Sequence, residues 1–241
     1  MKKIAGRAAA VIAWILIWQV TALIVHNQIL LAGPLDTVKA LRYLAKTPDF
    51  WQSVVSTTLR ILIGFALGSA LGIALACLAY KDRRFEIFLQ PMVAALKSVP
   101  VASFVILLLI WFGPGNISTI ICAMVVFPIL YLNSLEGLAG TDKKMLEMAK
   151  VFRMPTERKL FYIYLPQLVP FFKGAFKLAI GMSFKSGIAA EVIGQPLHTI
   201  GNGLYLSKIY LETGELFAWT IVVVLIAFIC EKILSFILAR I

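Results

Sequence analysis

Residues 61–80, ILIGFALGSALGIALACLAY, run without a single Asp, Glu, Lys or Arg. At about 1.5 Å per residue, a helix of this length crosses the ~30 Å hydrocarbon core of a bilayer. Gly64, Gly68 and Gly72 recur at every fourth position. That spacing places them on one helix face and lets a second helix approach closely. The run stops at Lys81-Asp82-Arg83-Arg84, a cluster too costly to bury in lipid.

Toward the N-terminus, residues 8–25 form a second apolar run with Trp14 and Trp18, preceded by Lys2, Lys3 and Arg7. It is too long for the core of a secretion signal and no small-residue cleavage site follows, so a first membrane span is expected there. Between the two runs, Gly33-Pro34 and Pro48 bracket residues 35–45, which read as an amphipathic helix on the membrane surface. Toward the C-terminus, residues 85–98 form a mixed helix stopped at Val99-Pro100. The apolar residues 101–112 are short for a span, so the third crossing borrows residues from before Pro100 or kinks there. Residues 117–132, 166–193 and 216–238 complete the set, and a polar loop, 194–215, precedes the last. The fold expected is an all-α integral membrane protein with about six transmembrane helices. It forms a single domain over 1–241, with an N-terminal span at 8–25 and a core at 51–238.

Composition agrees: 61% of the 241 residues are hydrophobic and 15% are charged, where soluble domains are about half apolar and a quarter charged. The mean hydropathy is +0.91. The net charge of +11 comes from 23 Lys and Arg against 12 Asp and Glu. These cations lie in short segments between apolar runs, which is the positive-inside pattern and not the clustered soluble face of a nucleic-acid binder. The turn at 113–116 has no Lys or Arg, whereas 136–159 carries Lys143, Lys144, Lys150, Arg153, Arg158 and Lys159. With Lys81, Arg83 and Arg84 on the same side, both termini are expected in the cytoplasm. Lys39, Arg42 and Lys46 dilute the contrast from an outer segment. Cys77, Cys122 and Cys230 sit singly in apolar runs, so neither a metal site nor a disulfide framework is expected. His26 and His198 read as solvated loop residues, Trp111, Phe112 and Trp219 as interface anchors, and Arg60 as an anchor opening the second span.

Residues 147–166, EMAKVFRMPTERKLFYIYLP, are too polar for lipid and join the fourth and fifth spans. They read as a helix to about 152, a break at Met154-Pro155, and a second helix capped by Thr156. Ala149, Val151, Phe152, Phe161 and Ile163 offer apolar contacts on the cytoplasmic side. A bent helix pair of this kind is a docking knob for another protein.

This segment resembles the EAA loop of binding-protein-dependent transport permeases, the inner-membrane subunits of ABC importers. The family pattern is Glu-Ala-Ala-x-x-x-Gly and, after a spacer, Ile-x-Leu-Pro. Glu147, Ala149, Ile163, Leu165 and Pro166 match in register, Met148 replaces one alanine, and Arg153 replaces the glycine. Because glycine normally permits the sharp turn, Met154-Pro155 is expected to shape it here. Further stretches are similar to the nitrate, sulfonate and taurine branch, in its order, over residues 34 to 220. They are Pro34-Leu-Asp-Thr-Val38, Thr58-Leu-Arg60 with Gly64-Phe65, Lys97-Ser-Val-Pro100, Trp111-Phe-Gly113 and Ala190-Glu191-Val192-Ile193-Gly194.

The resemblance implies the type I importer permease fold, multi-pass in a bacterial inner membrane, with a cytoplasmic coupling helix in a loop at 136–165. It implies a permease dimer, most simply of two copies, with each loop in a cleft of an ABC ATPase subunit and an external solute-binding protein on the other face. Glu147, Ala149, Arg153, Pro155, Ile163, Leu165 and Pro166 would form the ATPase-coupling loop. No phosphate-binding Gly-x-x-x-x-Gly-Lys-[Ser/Thr] occurs. ATP and Mg are therefore expected on the partner, with no cofactor and no catalysis in this chain.

Lys185 and Glu191 lie inside the fifth span, where charges are expensive and usually face a cavity or a partner. They are candidates for the translocation pathway or its gate; a structural ion pair, or Lys185 snorkelling to an interface, is the other reading. Six positions place them about 240° apart on a helix, which disfavours a direct pair. Lys173 and Lys177, nearer the cytoplasmic end, are expected to meet headgroups or the partner. A small anion such as a sulfonate, nitrate or taurine is the expected solute. The alternatives are a stand-alone secondary transporter, which usually shows repeated halves, and a membrane-embedded enzyme, which needs a nucleophile and base or a metal set.

Overall fold

A computed structural model describes residues 2–239. Among these the chain forms eleven α-helices and one π turn, with no strand. The order is α1 (Lys2–Val25), α2 (Pro34–Leu44), α3 (Pro48–Lys81), α4 (Arg83–Ser98), α5 (Val101–Phe112) and α6 (Ile117–Ala139). Then come α7 (Lys143–Val151), α8 (Thr156–Lys159), the π turn Leu160–Tyr164, α9 (Leu165–Gly194), α10 (Ile200–Ile209) and α11 (Thr213–Ala239). By length and composition α3, α6 and α11 can each cross a membrane, and α4 with α5 can act as one broken span. That pair bends by 104° at Val99-Pro100, where proline lacks a donor and clashes with the preceding turn. Ala9–Val25 of α1 is a shorter apolar helix, and α9 is long but carries the charges noted above.

The chain gathers into two compact units, with boundaries inside α3 and α11. The first holds residues through Thr57 together with Gln195–Leu225. Here the Trp18 indole N–H donates to the Ala32 carbonyl at 3.0 Å and its ring meets Phe217 at 5.2 Å. Pro34 opens α2, where its fixed φ suits the first helical position. Phe50 stacks on Trp219 at 4.9 Å, and a Cβ on Gly203 would come within 2.6 Å of the Trp219 ring. Trp219 is thus 4% exposed and is a core residue of this unit, not an interface anchor. The loop expected at 194–215 contains α10, which Thr199 caps by accepting from the Asn202 N–H at 3.2 Å. The Ile200 N–H donates to Thr57 Oγ1 at 2.9 Å. His198 is exposed as expected, but its Nδ1 lies 2.6 Å from Asp49 Oδ1, tying this loop to the first turn of α3.

The second unit holds Thr58–Gly194 with the C-terminal part of α11. Within it α6 packs along α9, and α3 crosses α6 closely on the glycine face. A Cβ on Gly64 would stand 2.4 Å from the Thr119 carbonyl oxygen, on Gly68 2.6 Å from that of Ala123, and on Gly72 2.8 Å from that of Phe127. Only hydrogen fits at all three. The Thr119 hydroxyl adds a donation to the Arg60 carbonyl at 3.1 Å. Helix α3 begins at Pro48, well before the apolar run, so Arg60 does not open it. That side chain is half-buried, with Nη1 enclosed and without a hydrogen-bond partner among the described residues. Helix α9 joins the same junction: Cys122 Sγ donates to the Ser183 carbonyl at 3.2 Å, and Gly187 of α9 fits against Cys122 and Ile61.

Candidate coupling loop and translocation face

Helix α7 starts at Asp142, whose carboxylate accepts from the Lys144 N–H at 2.8 Å. The Asp142 N–H in turn donates to Gln167 Oε1 on α9 at 2.9 Å. The helix ends in a Schellman motif: the Met154 N–H donates to the Ala149 carbonyl at 2.9 Å and the Arg153 N–H to that of Lys150 at 3.1 Å. This motif needs a left-handed residue between, and Arg153 supplies it with φ 49°. The family's glycine position therefore keeps the glycine conformation although the residue is arginine. Met154-Pro155 does not make the turn; it closes the turn and starts the next helix.

Pro155, and not Thr156, is the N-cap of α8, with no side-chain cap bond. The chain then passes through the π turn directly into α9. Pro166 explains the widening, since it has no N–H and its ring would strike the carbonyl four residues back in a regular helix. Tyr80 packs edge-on against Tyr164 with centroids 6.2 Å apart. Burial, then a hydrogen bond with Tyr80, raises the Tyr164 phenol above its ordinary pKa, so it remains a neutral O–H near neutral pH.

The candidate coupling residues divide by exposure. Ala149 is fully buried and Ile163 nearly so, contrary to their expected place on the docking surface. Their small or branched side chains seat the two helices on the body of the unit. Glu147 is exposed, Leu165 half-buried and Pro166 exposed. Outward stand Val151 (79% exposed), Phe152 (75%) and Phe161, with Tyr162 (73%) and Leu160. Tyr162 and Gln167 escaped the sequence reading; alternation with buried Ile163 around the Leu-Pro pair is the signal that marks Tyr162.

In α9, Ser183, Phe184, Ser186, Gly187, Ile188, Ala190 and Glu191 are buried, whereas Gly174, Leu178, Gly181, Lys185 and Ala189 line the exposed side. A Cβ on Gly174 or Gly181 would meet nothing within 4 Å. Lys185 therefore stands on an open face of small residues. Glu191 is 0% exposed, beside the cluster of Val105, Leu108, Ile117, Ile121 and Ala190. The structure thus turns the two charges different ways, as their spacing predicts.

Among the described residues the chain is all-helical, with helices long and apolar enough to cross a membrane and a polar, aromatic-bearing loop leading into one long charged helix, which fits a membrane transport subunit. A family model described as binding-protein-dependent transport system inner membrane component matches residues 68–241, and the chain belongs to that family. It is 27% identical to the putative aliphatic sulfonates transport permease protein SsuC of Bacillus subtilis, over 86% of this chain and 76% of that one. It is 26% identical to the bicarbonate transport system permease protein CmpB of Synechococcus elongatus, over 84% and 76%. It is also 22% identical to the taurine transport system permease protein TauC of Escherichia coli, over 89% and 80%.

Proposed function

We propose that the chain forms half of the solute pathway of an ATP-driven importer for a small anion, working as a dimer of two copies. The observation that carries this reading is the outward row of Val151, Phe152, Phe161 and Tyr162 on a loop too polar to enter lipid. Large apolar side chains held out of a water-facing segment mark a protein-docking surface. We assign it to the cleft of an ABC ATPase subunit, which binds the ATP and Mg. Glu147 and Arg153 flank the row, Pro155 starts its second helix, and Ala149, Ile163, Leu165 and Pro166 hold it in place. Transport by this chain is a change of access, with no covalent chemistry of its own.

The whole chain acts as one permease domain of about six spans, with both termini cytoplasmic. The segments at 113–116 and 194–215 receive the loaded solute-binding protein. Lys185 lines the pathway on the open face of α9. Glu191, buried near the outer end of that helix, acts at the gate by holding the neighbouring helices in position. The sulfonates and bicarbonate in two relatives' names and the basic character of Lys185 support a small anionic solute, and the taurine of a third carries a sulfonate on a zwitterion.

The test is purification of the tagged chain from its own membrane in a mild detergent, with mass spectrometry of what accompanies it. An ABC ATPase in equal amount, lost when Glu147 and Ala149 are changed together, is the expected result. A chain that comes out alone and moves solute without ATP would overturn the proposal in favour of a secondary transporter.

A further inference from the structure

Lys173 and Lys177, one turn apart on α9, edge a cleft of about 200 Å³ whose other lining residues are Ser235, Leu238 and Ala239 of α11. Both helices belong to the same unit here. Lys177 pairs with Glu231 at 3.2 Å, while Lys173 makes no ion pair among the described residues. Two lysines less one glutamate leave one positive charge at the rim.

The depth of the cleft says what can reach it. Counted from Gly194, Lys177 and Lys173 lie about 26 and about 32 Å along α9. Counted from Thr213, Glu231 and Ser235 lie about 27 and about 33 Å along α11. With a hydrocarbon core of ~30 Å, the cleft falls at the boundary away from the polar loop at 195–212, on the side of the basic segment preceding α9. Nearer the middle of the span, Val224 and Phe228 are exposed on the face of α11 that carries Glu231 and Ser235, an apolar surface leading to the charged rim.

We infer that this cleft binds the headgroup of an anionic phospholipid. The one uncompensated charge matches a phosphodiester monoanion, the Ser235 hydroxyl offers a donor, and the acyl chains run along the exposed Val224 and Phe228. Basic pockets between membrane helices on the cytoplasmic side have the right chemistry for such headgroups. A free phosphate shares the charge but gains nothing from this apolar surface.

Native mass spectrometry of the full chain in mild detergent tests this, with dioleoyl phosphatidylglycerol and dioleoyl phosphatidylcholine as probes. The expected result is selective retention of phosphatidylglycerol. At roughly five-fold per lysine, Lys173→Gln weakens it about five-fold and the Lys173→Gln/Lys177→Gln double variant about twenty-five-fold. Ser235→Leu, which fills the cleft without changing charge, is expected to weaken retention as well. Equal retention of the two lipids, or no effect of the double variant, would overturn the assignment. If the charge variants act but Ser235→Leu does not, the attraction is a diffuse surface effect and the site is rejected. Inorganic phosphate is expected not to displace the lipid; displacement would assign the cleft to a free anion instead.

Discussion

Arg153 sits at φ 49°, where an L side chain crowds the following carbonyl at a cost of about 1–2 kcal/mol. The Schellman bonds made by the Arg153 and Met154 N–H groups hold it there. Arg153→Gly should therefore fold with stability within about 1 kcal/mol of the parent, since relief of strain offsets the extra freedom of the unfolded chain. Arg153→Val, branched where crowding is worst, should lose about 2 kcal/mol and coupling with it. Thermal unfolding of the detergent-purified chain distinguishes them, and a Val variant as stable as the Gly one would refute the strain. Glu147 and Ala149 separate in the same way. Glu147→Arg, on an exposed position, should leave the unfolding midpoint in place while ATP-driven uptake drops about ten-fold or more. Ala149→Leu, on a fully buried one, should lower both. Unaltered uptake by Glu147→Arg would remove that residue from the docking surface.

Among the elements, the α3–α6 crossing gives the sharpest test. Gly68→Leu drives a side chain into the Ala123 backbone and should cost about 3 kcal/mol or prevent folding. Gly68→Ala should cost about 1–3 kcal/mol, read as a lower unfolding midpoint. A midpoint unmoved by Gly68→Ala would mean the helices are not in backbone contact. This crossing was legible in the sequence, because a four-residue glycine repeat has a single geometric consequence in a membrane helix. The break before Pro100 was legible for the same reason. The first turns of α3 were not, since Asp49, Gln52, Ser53 and Thr57 look like a loop to hydropathy and become helical by packing Phe50 and Thr57 into the first unit. Helix α10 was hidden likewise, its only local mark being the Thr199 cap. The turn at Arg153 could not be read from residue type at all; it follows from hydrogen bonds that only the folded loop provides.

For the whole molecule, the decisive quantity is how solute movement depends on ATP. Lys185→Met removes the charge from the open face of α9 without touching the loop. Uptake should fall about ten-fold while the partner's ATPase activity persists, because one desolvated charge contact contributes about 1.5–3 kcal/mol. Normal uptake by a normally expressed variant would take Lys185 out of the pathway. The π turn bears on the same scale, because it joins the loop to the helix that carries Lys185 with no coil between them. From Leu165 to Gly194 the helix is about 45 Å long. A tilt of ~10° at its base therefore sweeps the far end through about 8 Å, enough to open or shut a passage for a small ion. A rigid arm of this kind, with its fulcrum at the wide turn, trades force at the loop end for travel at the Gly194 end. Its gearing is set by helix length, and its slack by how stiffly five residues resist bending.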